Sequence, residues 1–387
     1  MKKKIAILGS TGSIGKNLID IIDKDKKNFE IVLLTANKNW PKLLKQAKKY
    51  RVKNLIITDN KSYESLKKNN KKKIYNIYNN FENLHKILKK KVDYTMSAIT
   101  GIDGLDPTIK IIKHTIKIAI ANKEAIICGW NLISKELKKN KTQFIPVDSE
   151  HFSIWYGLKN NEDSVDQLFL TASGGPFINL PFSKFKKINL KQALNHPNWK
   201  MGKKITIDSA TMMNKVFEVI EAKNIFNISY RNIHIVTHPK SYIHSLINFK
   251  NGMIKIIAHE TSMRIPIFNT LYSYENKKNI DIKNINFKKL NNLDIKKVNY
   301  KKFPLVKILK LLPKKNSLFE TVIVSANDEL VDAFLQNKIK FTDISTKLIQ
   351  FIKKKEFKKY KSITPSKIQQ IFELNEYVRL NINTKSI

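Results

Sequence analysis

Acidic residues at two places in this chain are spaced to share a ligand. Asp148 and Glu150 lie two apart after an apolar run at 144–147, so on extended backbone both carboxylates would face one way and could hold one cation. Further along, Asn214, Glu218 and Glu221 fall on one stripe of a helix read over 208–221, beside a second stripe of Met213, Phe217 and Ile220. A polar stripe by itself is most often the wetted face of a helix. The case for a site rests on the combination: oxygen donors with no cysteine among them suit Mg²⁺ or Mn²⁺ and not zinc.

Donors for an anion stand near these acids in the sequence. Ser173-Gly174-Gly175 follows a strand read at 168–171 and, with Ser209, Asn214 and Lys215, offers hydroxyl, amide and ammonium groups suited to a phosphate. The segment from His196 through Trp199 and Met201 to Gly202 is bracketed by proline and glycine and carries a large aromatic. That composition fits a lid that closes and excludes water, and equally a surface loop whose Trp199 packs on the body.

Upstream, Gly9-Ser-Thr-Gly12-Ser-Ile-Gly15 follows an apolar run and opens a helical pattern. In that context glycines let a pyrophosphate approach backbone N–H groups at a helix N-terminus. A site for NAD usually ends its second strand on an acid that takes the ribose 2′-hydroxyl. Here that strand ends in Asn37, Lys38 and Asn39, a cation and amides that suit a 2′-phosphate, so NADP is preferred.

The elements that must position these groups can be read coarsely. Short apolar runs at 5–8, 31–35, 55–58, 94–97, 116–120 and 144–147 alternate with helical patterns such as 14–22 and 40–49, which predicts a Rossmann-like α/β parallel sheet. Residues 67–80 read as a surface connection. After 148 the pattern is α+β, with strands at 205–207 and 233–237 and a hairpin of 242–249 and 253–258 about Asn251-Gly252. Beyond a polar stretch the chain turns helical at 305–312 and 344–352. Ser317 and Glu320 form a capping box, and Thr364-Pro365 caps a helix over 368–380, so a C-terminal helical bundle is expected. The expected divisions are 1–147 for the cofactor, 148–275 for catalysis and metal, 276–303 as linker and 304–387 as the helical domain.

Composition excludes some classes of function. With 387 residues, 42% of them hydrophobic, the chain can bury more than one core. The net charge of +40 is spread over nearly every segment together with Asn and Ile, a codon-bias pattern and not a nucleic-acid-binding stripe. The one cysteine, Cys128, cannot form an internal disulfide, and no run approaches the roughly 20 apolar residues that cross a bilayer. A cytoplasmic protein without nucleic-acid or membrane partners is expected. A thiol-dependent semialdehyde dehydrogenase would need Cys128 as its nucleophile, but its setting in Ala-Ile-Ile-Cys-Gly-Trp is that of a small buried residue.

These strings, with Ala121-Asn-Lys-Glu124, Pro146-Val-Asp-Ser-Glu-His151, Ser173-Gly-Gly-Pro-Phe177, His196-Pro-Asn-Trp199 and Asp208-Ser-Ala-Thr-Met-Met-Asn-Lys215, resemble the 1-deoxy-D-xylulose-5-phosphate reductoisomerase family over nearly the whole chain. The resemblance implies an NADPH- and divalent-metal-dependent homodimer acting on a sugar phosphate, which rearranges an α-hydroxyketone phosphate and reduces the branched aldehyde formed. It implies metal ligation by Asp148, Glu150 and Glu218, with Glu221 behind them. Ser173, His196, Ser209, Asn214 and Lys215 would hold the phosphate or nearby hydroxyls, Lys123 and Ser149 the carbon chain, and Trp199 and Met201 the cover. Thr11, Gly12, Ser13, Ile14, Asn37, Lys38, Asn39, Asn122, Glu124, Gly202 and Met263 would meet the cofactor. Asn37, where the family often has glycine, and Ser262, where an acid is common, depart from its pattern on the cofactor side.

Overall fold

The structure, a computed structural model, describes residues 2–159, 164–272, 280 and 285–385. Its residues group into two units. The first comprises Met1–Ala125, Leu132–Asp148 and Met263–Ile280, the second Ile126–Asn131, Ser149–Ser262 and Asp281–Ile387. Part of the expected linker, 276–279 and 281–284, lies outside the described residues.

In the first unit, β1 (Lys3–Leu8), β2 (Phe29–Ala36), β3 (Asn54–Ile57), β4 (Asn76–Tyr78), β5 (Val92–Ser97), β6 (Thr115–Ile120) and β7 (Gln143–Pro146) form one sheet in the order β4-β3-β2-β1-β5-β6-β7. Every pairing is parallel. Parallel strands are covered on both faces, so they read as unbroken apolar runs; in β1 the last four residues are all buried. The chain leaves β1 toward β2 on one side and returns as β5 on the other. The carboxyl end of β1 therefore opens at a switch point, where sheets of this kind bind ligands.

The helix Ser13–Asp23 covers this sheet with Leu18, Ile19, Ile21 and Ile22. A helix from far downstream, Arg264–Tyr272, adds Ile267, Leu271 and Tyr272 to the same core. Its Thr270 hydroxyl lies 2.9 Å from that of Tyr94, and the Tyr272 hydroxyl donates to Asp25 at 2.7 Å.

The second unit carries a mixed sheet of β8 (Val165–Ala172), β9 (Ile233–Thr237), β10 (Ile243–Phe249), β11 (Ile254–Ala258) and β12 (Lys296–Lys297), ordered β11-β10-β8-β9-β12. β10 and β11 are the hairpin expected about Asn251-Gly252. The helices Ser149–Leu158 and Met213–Phe226 set Ile154, Leu158, Val219 and Ala222 against Leu168, Leu170 and Ile247 of the sheet. The helix Leu318–Leu335 is buried along most of its length between Phe341–Ile352 and Ile368–Lys385, the helical region expected at this end.

Several local expectations are corrected. Residues 205–207 are helical, within Lys203–Ala210. The β-branched run suggested a strand, but Lys204 pairs with Asp208 one turn on at 3.1 Å and Thr206 donates its hydroxyl to Gly202 O at 2.8 Å. The single helix read over 208–221 is two, broken at Met212, whose φ of +66° is left-handed. Asp148 and Glu150 do not share a strand: β7 stops at Pro146, and Glu150 lies in the first turn of Ser149–Leu158. The stretch 67–80 holds the end of a helix, Asn60–Asn69, and the edge strand β4. Residues 304–311 form a tighter 3₁₀ helix. The Thr364 hydroxyl donates to Asn316 O at 3.1 Å, and near the start of this helix Gln370 accepts from the N–H groups of Ser366 and Lys367.

Candidate active site

The glycine loop in the first unit is held from below. Gly9 has a φ of +79°, and a Cβ there would stand 2.6 Å from Ala98 O, so only glycine fits between β1 and the turn after β5. Thr35 accepts the Gly9 N–H on its hydroxyl and the Ser10 N–H on its carbonyl, both at 2.9 Å. Buried Gln46 exchanges two bonds with Ser10, at 2.8 and 3.0 Å. With its own needs met from beneath, the loop presents Thr11 and Gly12 ahead of the helix that opens with Ser13 and Ile14. Neither Thr35 nor Gln46 could be picked from the sequence, since each is an ordinary residue whose role is set by packing.

Asn37, Lys38 and Asn39 follow β2 and are exposed. Asn37 donates to the Thr58 hydroxyl at 2.9 Å, and Asn39 caps the next helix by accepting from Lys42 N at 3.2 Å. Burial, reinforced by neighbouring Lys16, pushes the Lys42 ammonium down to about 8, so cations crowd this end of the unit. Asn122 spends its side chain on backbone, donating to Gly101 O at 2.8 Å and to Ile99 O and accepting from Ala125 N at 2.8 Å. It thereby fixes the start of the helix that carries Lys123 and Glu124. Lys123 Nζ reaches Asp148 Oδ2 at 3.1 Å. Met263 packs against this unit's core just before the helix Arg264–Tyr272.

In the second unit the helices Ser149–Leu158 and Met213–Phe226 bring Glu150 and Glu218 together, each with a carboxylate oxygen within 4.8 Å of the other. Lys215, 5% exposed, places its ammonium on both: 3.0 Å from Glu150 Oε1 and in direct contact with Glu218. Asn214 donates to the second oxygen of Glu218, and the Ser149 hydroxyl donates to Glu150. Burying charge costs several kcal/mol unless it is paired, and this pair is paired by a cation. Behind it His151, fully buried, donates from Nε2 to Glu218 O at 2.8 Å and sets Nδ1 3.8 Å from Glu221 Oε2.

A second cluster stands on the turn after β8. Gly175, at a φ of +63°, passes so close to the helix Lys203–Ala210 that a Cβ would meet Ala210 Cα at 2.9 Å. This brings Ser173 to Ser209, with His196 between: its Nε2 is 3.2 Å from one hydroxyl and 3.1 Å from the other. Nδ1 accepts the N–H groups of Asn198 and Trp199, so the ring proton is on Nε2 and faces the two serines. Burial pushes the imidazole down to about 4, which keeps it a neutral donor at pH 7. Gly202 caps the helix Lys203–Ala210, and Trp199 is half-buried against His244. Asn198, passed over in the sequence, ties the segment down by donating to Pro239 O at 2.6 Å and Ser241 Oγ at 2.8 Å. Cys128 is fully buried, which denies the thiol route its nucleophile.

Fold and groups define a class: a dinucleotide-binding parallel sheet in one unit, and in the other an acid pair beside a hydroxyl and imidazole cluster. Comparison with known proteins gives the family. Residues 5–129 match the model for 1-deoxy-D-xylulose 5-phosphate reductoisomerase, 144–226 that for its C-terminal domain, and 259–381 a further DXP reductoisomerase C-terminal domain. The chain is 56% identical over the full length of both proteins to the 1-deoxy-D-xylulose 5-phosphate reductoisomerase of Pelagibacter ubique. It is 38% identical to that of Clostridium kluyveri, over 89% of this chain and 90% of the relative. Among solved structures it resembles the Zymomonas mobilis reductoisomerase in complex with NADPH, with 30% identity, both chains fully covered and a TM-score of 0.88. A reductoisomerase bound to NADPH, fosmidomycin and magnesium matches at 28% identity over 99% and 98% of the chains, with a TM-score of 0.86. The chain belongs to the 1-deoxy-D-xylulose 5-phosphate reductoisomerase family.

Proposed function

We propose that this protein converts 1-deoxy-D-xylulose 5-phosphate to 2-C-methyl-D-erythritol 4-phosphate, with NADPH as reductant and Mg²⁺ or Mn²⁺ as the metal. Family membership supports the reaction, and one observation carries the reading of the site: Glu150 and Glu218 already share a cation, the ammonium of Lys215. Oxygen-only donors at that spacing fit a hard divalent ion. Asp148, just before the helix that bears Glu150, would complete the set, and Glu221 with His151 would support Glu218 from behind. When bound, the metal polarises two neighbouring substrate oxygens and NADPH supplies the hydride.

The remaining work falls to this chain's own groups. Ser173, Ser209 and the His196 Nε2–H donate to the phosphate, with Asn214 beside them. Glu150 and Glu218 would hold the metal, and the Lys215 ammonium that they share in this structure would then serve the substrate's oxygens. Lys123 and Ser149 orient the carbon chain, while Trp199 and Met201 cover it and keep water out. Thr11, Gly12, Ser13 and Ile14 receive the dinucleotide at the helix N-terminus, with Asn122, Glu124, Gly202 and Met263 along its length. Asn37, Lys38 and Asn39 take the 2′-phosphate.

We propose that a second copy of the chain covers β11, an edge strand that exposes Ile254 and Ile256 beside Met253 at the hairpin turn. Such edges are covered in native proteins, and a homodimer would cover this one. We place the protein in the cytoplasm, where a thiol such as Cys128 stays reduced; no helix among the described residues is long and apolar enough to cross a membrane. The reaction is tested by incubating the protein with 1-deoxy-D-xylulose 5-phosphate, NADPH and Mg²⁺ and identifying the product by mass spectrometry. One 2-C-methyl-D-erythritol 4-phosphate per NADPH consumed is expected, and NADPH consumption without that product would refute the assignment.

A further inference from the structure

The segment 196–202 is tied down by His196, Asn198 and Trp199, and the support beneath Trp199 has a base of its own. Trp199 stands edge-on to His244, with ring centroids 6.3 Å apart and planes at 71°. His244, 1% exposed at the start of β10, is stacked in turn on His259, with centroids 3.7 Å apart and planes 18° from parallel. We infer that His259 is a positioning residue whose flat ring fixes His244 as the ledge that receives Trp199. This rests on the reading of 196–202 as the cover of the substrate.

The chemistry of the two imidazoles supports a steric role over a polar one. His244 Nε2 lies 3.1 Å from the backbone carbonyl of His259, so it carries the proton and donates. The backbone N–H of His259 donates to Tyr242 O at 3.0 Å, which locks the end of β11 beside the start of β10. His259 spends its Nδ1–H on Glu260 O at 2.8 Å, next to it in the chain. Its Nε2 is buried with no hydrogen-bond partner among the described residues. Burial also holds His259 below its ordinary range, so the ring stays neutral. What the side chain gives its neighbour is a flat, uncharged face against His244. With that face in place, His244 has the backbone bond and the stack to hold it, and Trp199 meets a fixed edge. Without it, His244 loses the face that sets the plane of its ring, and the position of Trp199 loosens.

The test is steady-state kinetics on the full-length protein carrying His259→Ala, His259→Phe, Trp199→Ala and the double change of Trp199→Ala with His259→Ala. NADPH affinity, measured on each, serves as the check that the protein is folded. His259→Ala is expected to raise KM for the sugar phosphate by roughly threefold to tenfold, the scale of one aromatic contact, while KM for NADPH stays put. His259→Phe, which keeps the flat face and discards both nitrogens, is expected to restore KM to within about twofold of wild type on the same scale. In the Trp199→Ala background, adding His259→Ala is expected to change nothing further. An unchanged KM in His259→Ala while Trp199→Ala raises it would overturn the role of His259 alone. A Phe variant as impaired as the Ala variant, or full additivity in the double variant, would also overturn it. An unchanged KM in Trp199→Ala would overturn the reading of the segment as a cover, and the inference with it.

Discussion

At the scale of single residues, the acid pair and its lysine decide what the site can do. Glu218→Gln keeps the shape of the side chain and the bond from Asn214 but removes the charge. A loss of roughly 10²-fold or more in kcat/KM is expected, the size of losing one charge-stabilising group. An unchanged rate in a stopped assay would remove Glu218 from the metal's ligands. His196 is open to a separate check. Its imidazole titrates near 4 in the folded chain and near 6.5 unfolded, so between these values the unfolded state binds a proton that the folded state refuses. Stability should therefore fall as pH drops from about 6.5 to about 4, and His196→Gln should flatten that slope. Thermal unfolding across this window reads both. The acids and the histidine were legible as letters because carboxylates, imidazole and paired glycines are uncommon side by side. The residues that hold them, such as Thr35, Gln46 and Asn198, were not, since their roles exist only after the chain is folded.

At the scale of elements, the positioning depends on how helices begin and break. The capping box at the head of Leu318–Leu335 was plain in the sequence, because Ser317 and Glu320 need only each other and the local backbone. The break at Met212 was not, because no glycine or proline marks it. Packing of Met212 and Met213, both buried, holds the turn that separates Ser209 from Asn214. The same holds for 205–207, whose β-branched letters favour a strand until Lys204, Asp208 and Asp328 pair around them. Burial pushes the Glu320 carboxyl up to about 7 against the pull of Ser317. Folding then favours its protonated form: stability should fall as pH rises from about 4.5 through about 7. Glu320→Gln should keep the cap and abolish this dependence. A urea-unfolding series at several pH values measures it, and an undiminished slope in the variant would assign the effect elsewhere.

At the scale of the whole molecule, the parallel sheet was legible because strands buried on both faces write themselves as apolar runs. The return of Arg264–Tyr272 to the first unit was not, for a helix with one buried face looks the same whichever sheet it covers. The exposed edge of β11 predicts association: Ile256→Asp should shift the protein from dimer to monomer in light scattering, whereas a monomeric wild type would remove the dimer from the account. The proposed reaction needs a divalent cation held by carboxylates while NADPH reduces the sugar phosphate. Its most direct test is NADPH oxidation with 1-deoxy-D-xylulose 5-phosphate, with Mg²⁺ supplied, chelated and then restored. Oxidation that stops on chelation and returns with the metal is expected; oxidation that continues at full rate in the chelator would contradict it.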